Sequence, residues 1–254
     1  MTDLAKLRWP EVEALVRRGC AAILPVGSTE AHGPHLPLDT DVTIALGMAR
    51  RAAAALQAKG RACVVLPPLA YAVTDFAAPF AGTLSLPAAT ATALVRDVLL
   101  AAARRGFQPV ALANAHLEPA HIETLKAAIA AAEAASAGEA AASAPRFVFP
   151  DVTRRRLAER LTEEFRSGAC HAGRYEGSLV LADDPASVDD ALRRTLPPVA
   201  ISLVDAIRAG QADFVQAGGT QAYFGRPAEA TADEGRASFE TLAALLVEAM
   251  ESAG

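Results

Sequence analysis

The sequence predicts an α/β protein with a mainly parallel sheet covered by helices on both faces. Short apolar runs at residues 21–26, 62–66 and 109–113 have the length of buried strands. Longer stretches with apolar residues at helical spacing separate them, at 42–59 and 87–105. Glycine or proline punctuates each junction, at Gly27, Gly60, Pro67-Pro68 and Gly106. Strand and helix alternating in this way build a parallel sheet, because each crossover helix returns the chain to the same edge direction.

With 254 residues the chain suits one large domain or two small ones, with ample material for a core. It is alanine-rich, only 5% aromatic, and carries a net charge of −5. A basic surface is what nucleic acid requires, so no nucleic-acid partner is expected. No window has the length of uninterrupted apolar residues that a membrane span needs, and residues 1–10 lack a signal-peptide layout. A soluble, cytoplasmic protein is expected. Cys20, Cys63 and Cys170 are odd in number and far apart with no CxxC pair. Neither a disulfide framework nor a thiolate zinc site follows, and reduced, buried thiols are expected.

In chain order, residues 11–18 read as a short helix feeding the first strand. The helix at 42–59 is stopped by Gly60, with Thr40 or Asp41 as a good N-cap. Residues 71–86 form a polar and aromatic connection. Gly106 stops the helix at 87–105, and Pro119 suits the first turn of the helix after the strand at 109–113. Residues 127–144 are alanine-rich and read as a helix fraying into a surface loop before a strand at 147–149. Residues 152–166 read as a charged amphipathic helix whose run Arg154-Arg155-Arg156 is a solvated face. An apolar helix at 178–181, a glycine turn at Gly218-Gly219 and a final helix at 231–250 complete the chain.

Chemistry gathers where the strands end. After Val26 comes GSTEAHGPHLPLDTD, in which Pro34 and Pro37 stiffen a loop carrying His32, His35, Glu30, Asp39 and Asp41. Glu30 and His32 are two apart, so an extended backbone puts both on one side, and Asp41 is far enough along to fold back onto them. Carboxylates with an imidazole suit zinc or manganese better than calcium. The bland alternative is a solvated loop that caps the next helix. After Ala113 comes NAHLEPAH, where His116 and Glu118 repeat the alternate spacing and His121 is read as a surface residue or one supporting the ligands. Ligands bind outside the carboxyl ends of strands in open α/β sheets, and both constellations lie at such ends. A third, HAGRYEGS, holds His171 in a small-residue loop and Glu176 at a helix start.

These motifs resemble the creatininase family of metal-dependent amidohydrolases. The resemblance runs from about Ile23 to Ala249 through PVGSTEAHGPHLPLDTD, FAGTLSL at 80–86, NAHLE at 114–118, HAGRYEGS at 171–178 and, more weakly, YFGRPAEATADEGR at 223–236. It implies one hydrolase domain over residues 1–254, with a three-layer α/β/α fold assembled into homohexameric rings. It also implies a two-metal centre of zinc or manganese, with iron as a further option. Asp41 would bridge, Glu30 and His116 would complete one site, and His32 and Glu118 the other. Such a centre activates a water to attack an amide carbonyl, and the family match makes His171 the proton shuttle and Glu176 an orienting group, with Glu118 also catalytic.

Departures from the family pattern bear on the substrate, a small linear or cyclic amide. Trp9 is the only tryptophan, so nothing matches the tryptophans that close over substrate in creatininase itself. Leu117 and Thr83 are expected at the substrate, and Arg174 stands where an acid is frequent and would take a substrate carboxylate, or be structurally paired. A relative of creatininase is therefore expected, such as a deformylase or peptidase of a biosynthetic pathway. A non-catalytic metal-containing scaffold and a metallophosphoesterase are the alternatives, the latter without any glycine-rich phosphate loop.

Overall fold

Strands β1 (Ala21–Val26), β2 (Cys63–Val65), β3 (Val110–Asn114) and β4 (Phe147–Val148) form the sheet of the computed structural model, which describes residues 3–137, 144–169 and 171–252. Their order is β2-β1-β3-β4, and every pairing is parallel. The chain leaves β1 to one side and returns for β3 on the other, so a crevice opens beyond the carboxyl ends of β1 and β3.

Ten α-helices lie among the described residues: α1 (Trp9–Val16), α2 (Thr40–Ala58), α3 (Ala88–Arg104), α4 (Pro119–Ala135), α5 (Arg155–Ala158), α6 (Glu163–Ser167), α7 (Arg174–Asp183), α8 (Asp190–Arg193), α9 (Leu203–Arg208) and α10 (Ala232–Ser252). Alternate strand residues face opposite sides, which splits the core in two. Ile23, Ala111 and Ala113 pack on α2, α7 and α10 with Leu56, Leu179, Phe239 and Leu246. Ala22, Leu24 and Leu112 face α3 and α4 with Leu99 and Leu125, and α1 adds Val12 and Leu15. This is the expected three-layer sandwich. A smaller apolar cluster, centred on Phe214 and Phe224, sits among the loops. No helix among the described residues is long and apolar enough to cross a membrane.

Three local expectations change. Residues 152–166 are not one helix: Thr162 Oγ1 accepts from Phe165 N (3.4 Å), starting α6 afresh and separating it from α5. The N-cap of α2 is Asp39, while Thr40 Oγ1 turns back to Pro37 O (2.7 Å) and Asp41 lies in the first turn. The alanine-rich helix α4 ends at Ala135. Residues 138–143, where its fraying was expected, and Cys170 lie outside the described residues. Cys20 and Cys63 are buried, and burial pushes their thiols up to about 11 and about 12.

Candidate metal centre

The crevice beyond β1 and β3 is where the two main constellations meet. Gly27 follows β1, and a Cβ there would lie 2.6 Å from Val42 N and 2.7 Å from Asp41 C. Only glycine lets the start of α2 come this close to the strand end, which brings Asp41 beside Glu30 and His32. Ser28 Oγ donates to Asp41 Oδ2 (2.9 Å), and Glu30 N donates to Leu38 O (3.1 Å), closing the loop on itself. Beyond β3, Ala115 N donates to Val26 O (3.1 Å), so the two chains still run side by side as His116 arrives.

Three imidazoles are each fixed by a backbone carbonyl. His32 Nδ1 donates to Glu30 O (3.2 Å), His116 Nε2 to Val73 O (2.8 Å) and His171 Nε2 to Ala31 O (2.9 Å). In each ring the other nitrogen turns toward the carboxylates, the arrangement expected when a second partner orients a metal ligand. His32 Nε2 lies 3.2 Å from Asp41 Oδ1, 3.6 Å from Glu176 Oε2 and 3.7 Å from Glu30 Oε1, yet none aligns as a hydrogen-bond partner. His116 Nδ1 lies 3.1 Å from Asp41 Oδ2 and 3.4 Å from Glu30 Oε1. Asp41 therefore presents one oxygen to each of two histidines.

Among the described residues three buried donor groups result: Glu30–Asp41–His116, His32–Asp41–Glu176 and Glu30–His32–His171, the ligand atoms of each within 4.8 Å of one another. The first is as expected. In the second, Glu176 occupies the place expected of Glu118. The Glu118 carboxylate instead accepts from Asp75 N and Phe76 N, both at 3.2 Å, which holds it to one side. Glu176 reaches the cluster because Ala172, at φ 50°, folds the loop back so that its N–H meets Glu176 Oε2 (2.6 Å).

Burial alone would neutralise these groups, and their mutual attraction opposes it. Burial pulls His32 down, but Asp41, Glu176 and Glu30 outweigh it and raise its pKa to about 10. Burial would raise Glu30, yet His116 above all brings it down to about 2. Asp41 is likewise held below its usual range by His32 and His116. Burial wins at Glu176, pushed up to about 8, and it also raises Glu118. His171 is lowered to about 4 by burial and by His32.

Residues 73–76, which the sequence left as an unremarkable connection, hold the centre from outside. Val73 O orients His116, Thr74 Oγ1 donates to Glu30 Oε2, and the next two N–H groups hold Glu118. Phe76 O accepts from Phe214 N (2.9 Å), and the Phe214 ring packs on His171 with centroids 4.3 Å apart. The one available signal was length: sixteen residues between 71 and 86 without regular structure exceed the usual connection and point to function.

Other sequence expectations sort differently. Leu117 lines the cavity of about 720 Å³ that opens onto Glu30, Asp41, His116, Glu118, His171 and Glu176. Arg174 does not face it; its guanidinium binds Glu234, with Nε 2.6 Å from Oε2, which joins α7 to α10. Thr83 Oγ1 accepts from Ala31 N (3.2 Å), bracing the loop instead of meeting the cavity. His121 is buried, with Nε2 3.0 Å from Asn114 Oδ1, and so supports the centre and is not a surface group. His35 is buried edge-on to Tyr223, pushed down to about 4 by burial and Arg193.

Comparison with known proteins bears on this geometry. The family described as "Creatininase: Creatinine amidohydrolase" matches residues 5–250. A mycofactocin precursor peptide peptidase from Mycobacterium ulcerans (strain Agy99) is 31% identical over 225 residues, 85% of this chain and 79% of that protein. A creatinine amidohydrolase from Pseudomonas putida is 35% identical over 121 residues, 45% of each chain. A crystal structure of creatinine amidohydrolase superposes with a TM-score of 0.77 at 26% identity, covering 99% of this chain and 97% of that one. A structure described as a creatininase with Mn gives 0.75 at 24% identity, covering 99% and 98%, a likeness of fold.

Proposed function

The chain belongs to the creatininase family of hydrolases, and from that premise we propose a metal-dependent amidohydrolase with a two-ion centre. The position of Asp41 carries the reading: its two oxygens lie 3.2 Å from His32 Nε2 and 3.1 Å from His116 Nδ1. The donor set fits divalent ions. His32 Nε2 is buried without a hydrogen-bond partner, and each trio mixes imidazole nitrogen with carboxylate oxygen, suited to zinc or manganese and also to iron. Glu30, Asp41 and His116 would hold one ion; His32, Asp41 and Glu176 the other. Bound there, two ions supply an activated water and polarise an amide carbonyl.

The protein's own groups do the rest. Glu118 faces the cavity, held by two N–H groups, and burial raises its pKa, so it is the group we assign to take the proton of the attacking water and return it to the departing nitrogen. His171 was expected to shuttle that proton. Its Nε2–H is committed to Ala31 O and burial holds it neutral, so we assign its Nδ1 as an acceptor that orients the substrate. Phe76 and Phe214 wall the site beside it and exclude water. We read residues 1–254 as one hydrolase domain, supported by a family match over nearly the whole chain.

The substrate reading is an amide, with a peptide bond included. The cavity volume exceeds what a single small ring fills, and the Mycobacterium ulcerans relative is named as a peptidase. The test is elemental analysis of protein purified without chelators, followed by a panel of lactams, formamides and short peptides. About two divalent ions per chain with hydrolysis of at least one class is expected, and Asp41→Ala should lose both. Under one ion per chain after reloading, or a full complement in the Asp41→Ala variant, overturns the centre as assigned.

A further inference from the structure

We infer that Arg166 is a recognition group in the wall of the cavity, selecting amides that also carry a carboxylate; as a statement of substrate class this rests on the hydrolase reading. The cavity wall includes three cations, Lys126, Arg166 and Arg208. Lys126 is shared by Glu123 (3.0 Å) and Asp151 (3.2 Å), and Arg208 meets Asp205 at 3.3 Å. Arg166, in the last turn of α6, is exposed and has no carboxylate partner among the described residues. Its neighbour Glu164 is not available to it, being engaged by Tyr175 N (2.7 Å), at the start of α7, and by Arg226 N (2.6 Å).

The surroundings say what that guanidinium is for. The protein is net negative, and the cavity floor presents Glu30, Asp41, Glu118 and Glu176. With those carboxylates engaged by metal ions or by N–H groups, a substrate carboxylate away from the reacting amide needs a cation of its own, and a guanidinium matches a carboxylate in two parallel hydrogen bonds. The lining also carries apolar side chains, Phe76, Leu117, Ile122, Leu203, Ile207 and Phe214. The cavity therefore suits an amide with an apolar side chain and a free carboxylate, the chemistry shared by N-acyl amino acids and the carboxyl ends of short peptides. Arg174, which the sequence nominated for this role, is occupied by Glu234.

The test uses metal-loaded full-length protein and calorimetry, which reads binding and turnover together. The probes are N-acetyl-leucine, N-acetyl-alanyl-leucine and the carboxyl-terminal amide of each. The acids are expected to bind roughly 10-fold more tightly than the amides, with Arg166→Met removing that preference and Arg166→Lys keeping part of it. Preference for the longer acid assigns peptides, and for the shorter one N-acyl amino acids. Equal binding of acid and amide, or a preference that survives in Arg166→Met, overturns the assignment. A preference without turnover leaves the carboxylate site standing and removes the hydrolase reading; turnover without preference does the reverse.

Discussion

At the floor of the cavity each chemical side chain is anchored: three imidazoles by backbone carbonyls, Glu118 by two amides, Glu176 by another, and Asp41 and Glu30 by the hydroxyls of Ser28 and Thr74. At its mouth the walls come from short helices, α6 and α9, with exposed Val204 and an Arg166 that meets no carboxylate among the described residues. The floor gathers like charges in a buried place, which no protein tolerates unless every group is paired or a cation is supplied. The mouth has no such constraint. Chemistry shared by a family belongs on the floor, where change is expensive, and discrimination among substrates belongs at the mouth, where it is cheap.

Changes at the floor should therefore damage the reaction and changes at the mouth should redirect it. The largest effect below loss of metal is expected from Glu118→Gln: turnover falling about 10²- to 10⁴-fold with metal content intact. Full activity in that variant would move proton transfer to another group, with His171 next in line. Thr74→Val leaves Glu30 unsupported on one side and should weaken metal binding about 10- to 100-fold, read by competition with a chelator. An unchanged affinity would mean that residues 73–76 merely border the centre.

Metal loading should depend on pH with a defined sign. Without metal His32 titrates at about 10 and Glu176 at about 8, so at pH 7 both hold protons that an ion must displace. Apparent affinity should climb up to about tenfold per pH unit for each proton released. The metal-free protein behaves oppositely. His32 is raised above its ordinary 6.5, so its stabilising contribution is complete below that value and is lost as pH rises through about 10. The gap in Tm between loaded and metal-free protein should widen from pH 7 to 9; a constant gap would mean that neither His32 nor Glu176 holds a proton that metal displaces. The smallest effect is expected from Arg174→Met. Its ion pair with Glu234 is partly exposed, so stability should fall by less than about 1 kcal/mol with no change in acid-over-amide preference, the contrast that isolates Arg166.

The strands at 21–26 and 109–113 could be read from the sequence because apolar runs bounded by glycine and proline have few alternatives; the second ends one residue later than expected, at Asn114. The helix at 152–166 was misread because its apolar period runs on through Thr162, and the hydroxyl that restarts the backbone there is a local bond that periodicity does not register. Glu30, His32 and His116 were legible because each sits within a few residues of a strand end, and Asp41 because the proline-stiffened loop that follows leads straight to it at the start of α2. That Glu176, where Glu118 was expected, lies beside His32 and Asp41 was not, since both are glutamates near histidines at helix starts. Their difference lies in partners far away in the chain, Asp75 and Phe76 for one and His32 for the other, and in the folded-back loop that brings Ala172 N–H onto Glu176.

By itself the sequence determined the layer architecture, the family and the donor types gathered at the strand ends, because these follow from local periodicity and from short motifs whose residues are near neighbours. Only the tertiary structure decided which carboxylate joins which histidine, that residues 73–76 clasp the cluster, and that Arg174 is engaged while Arg166 meets no carboxylate among the described residues. Those outcomes depend on distances between segments separated by tens of residues, and on which charge reaches a partner first once the chain has closed around the crevice.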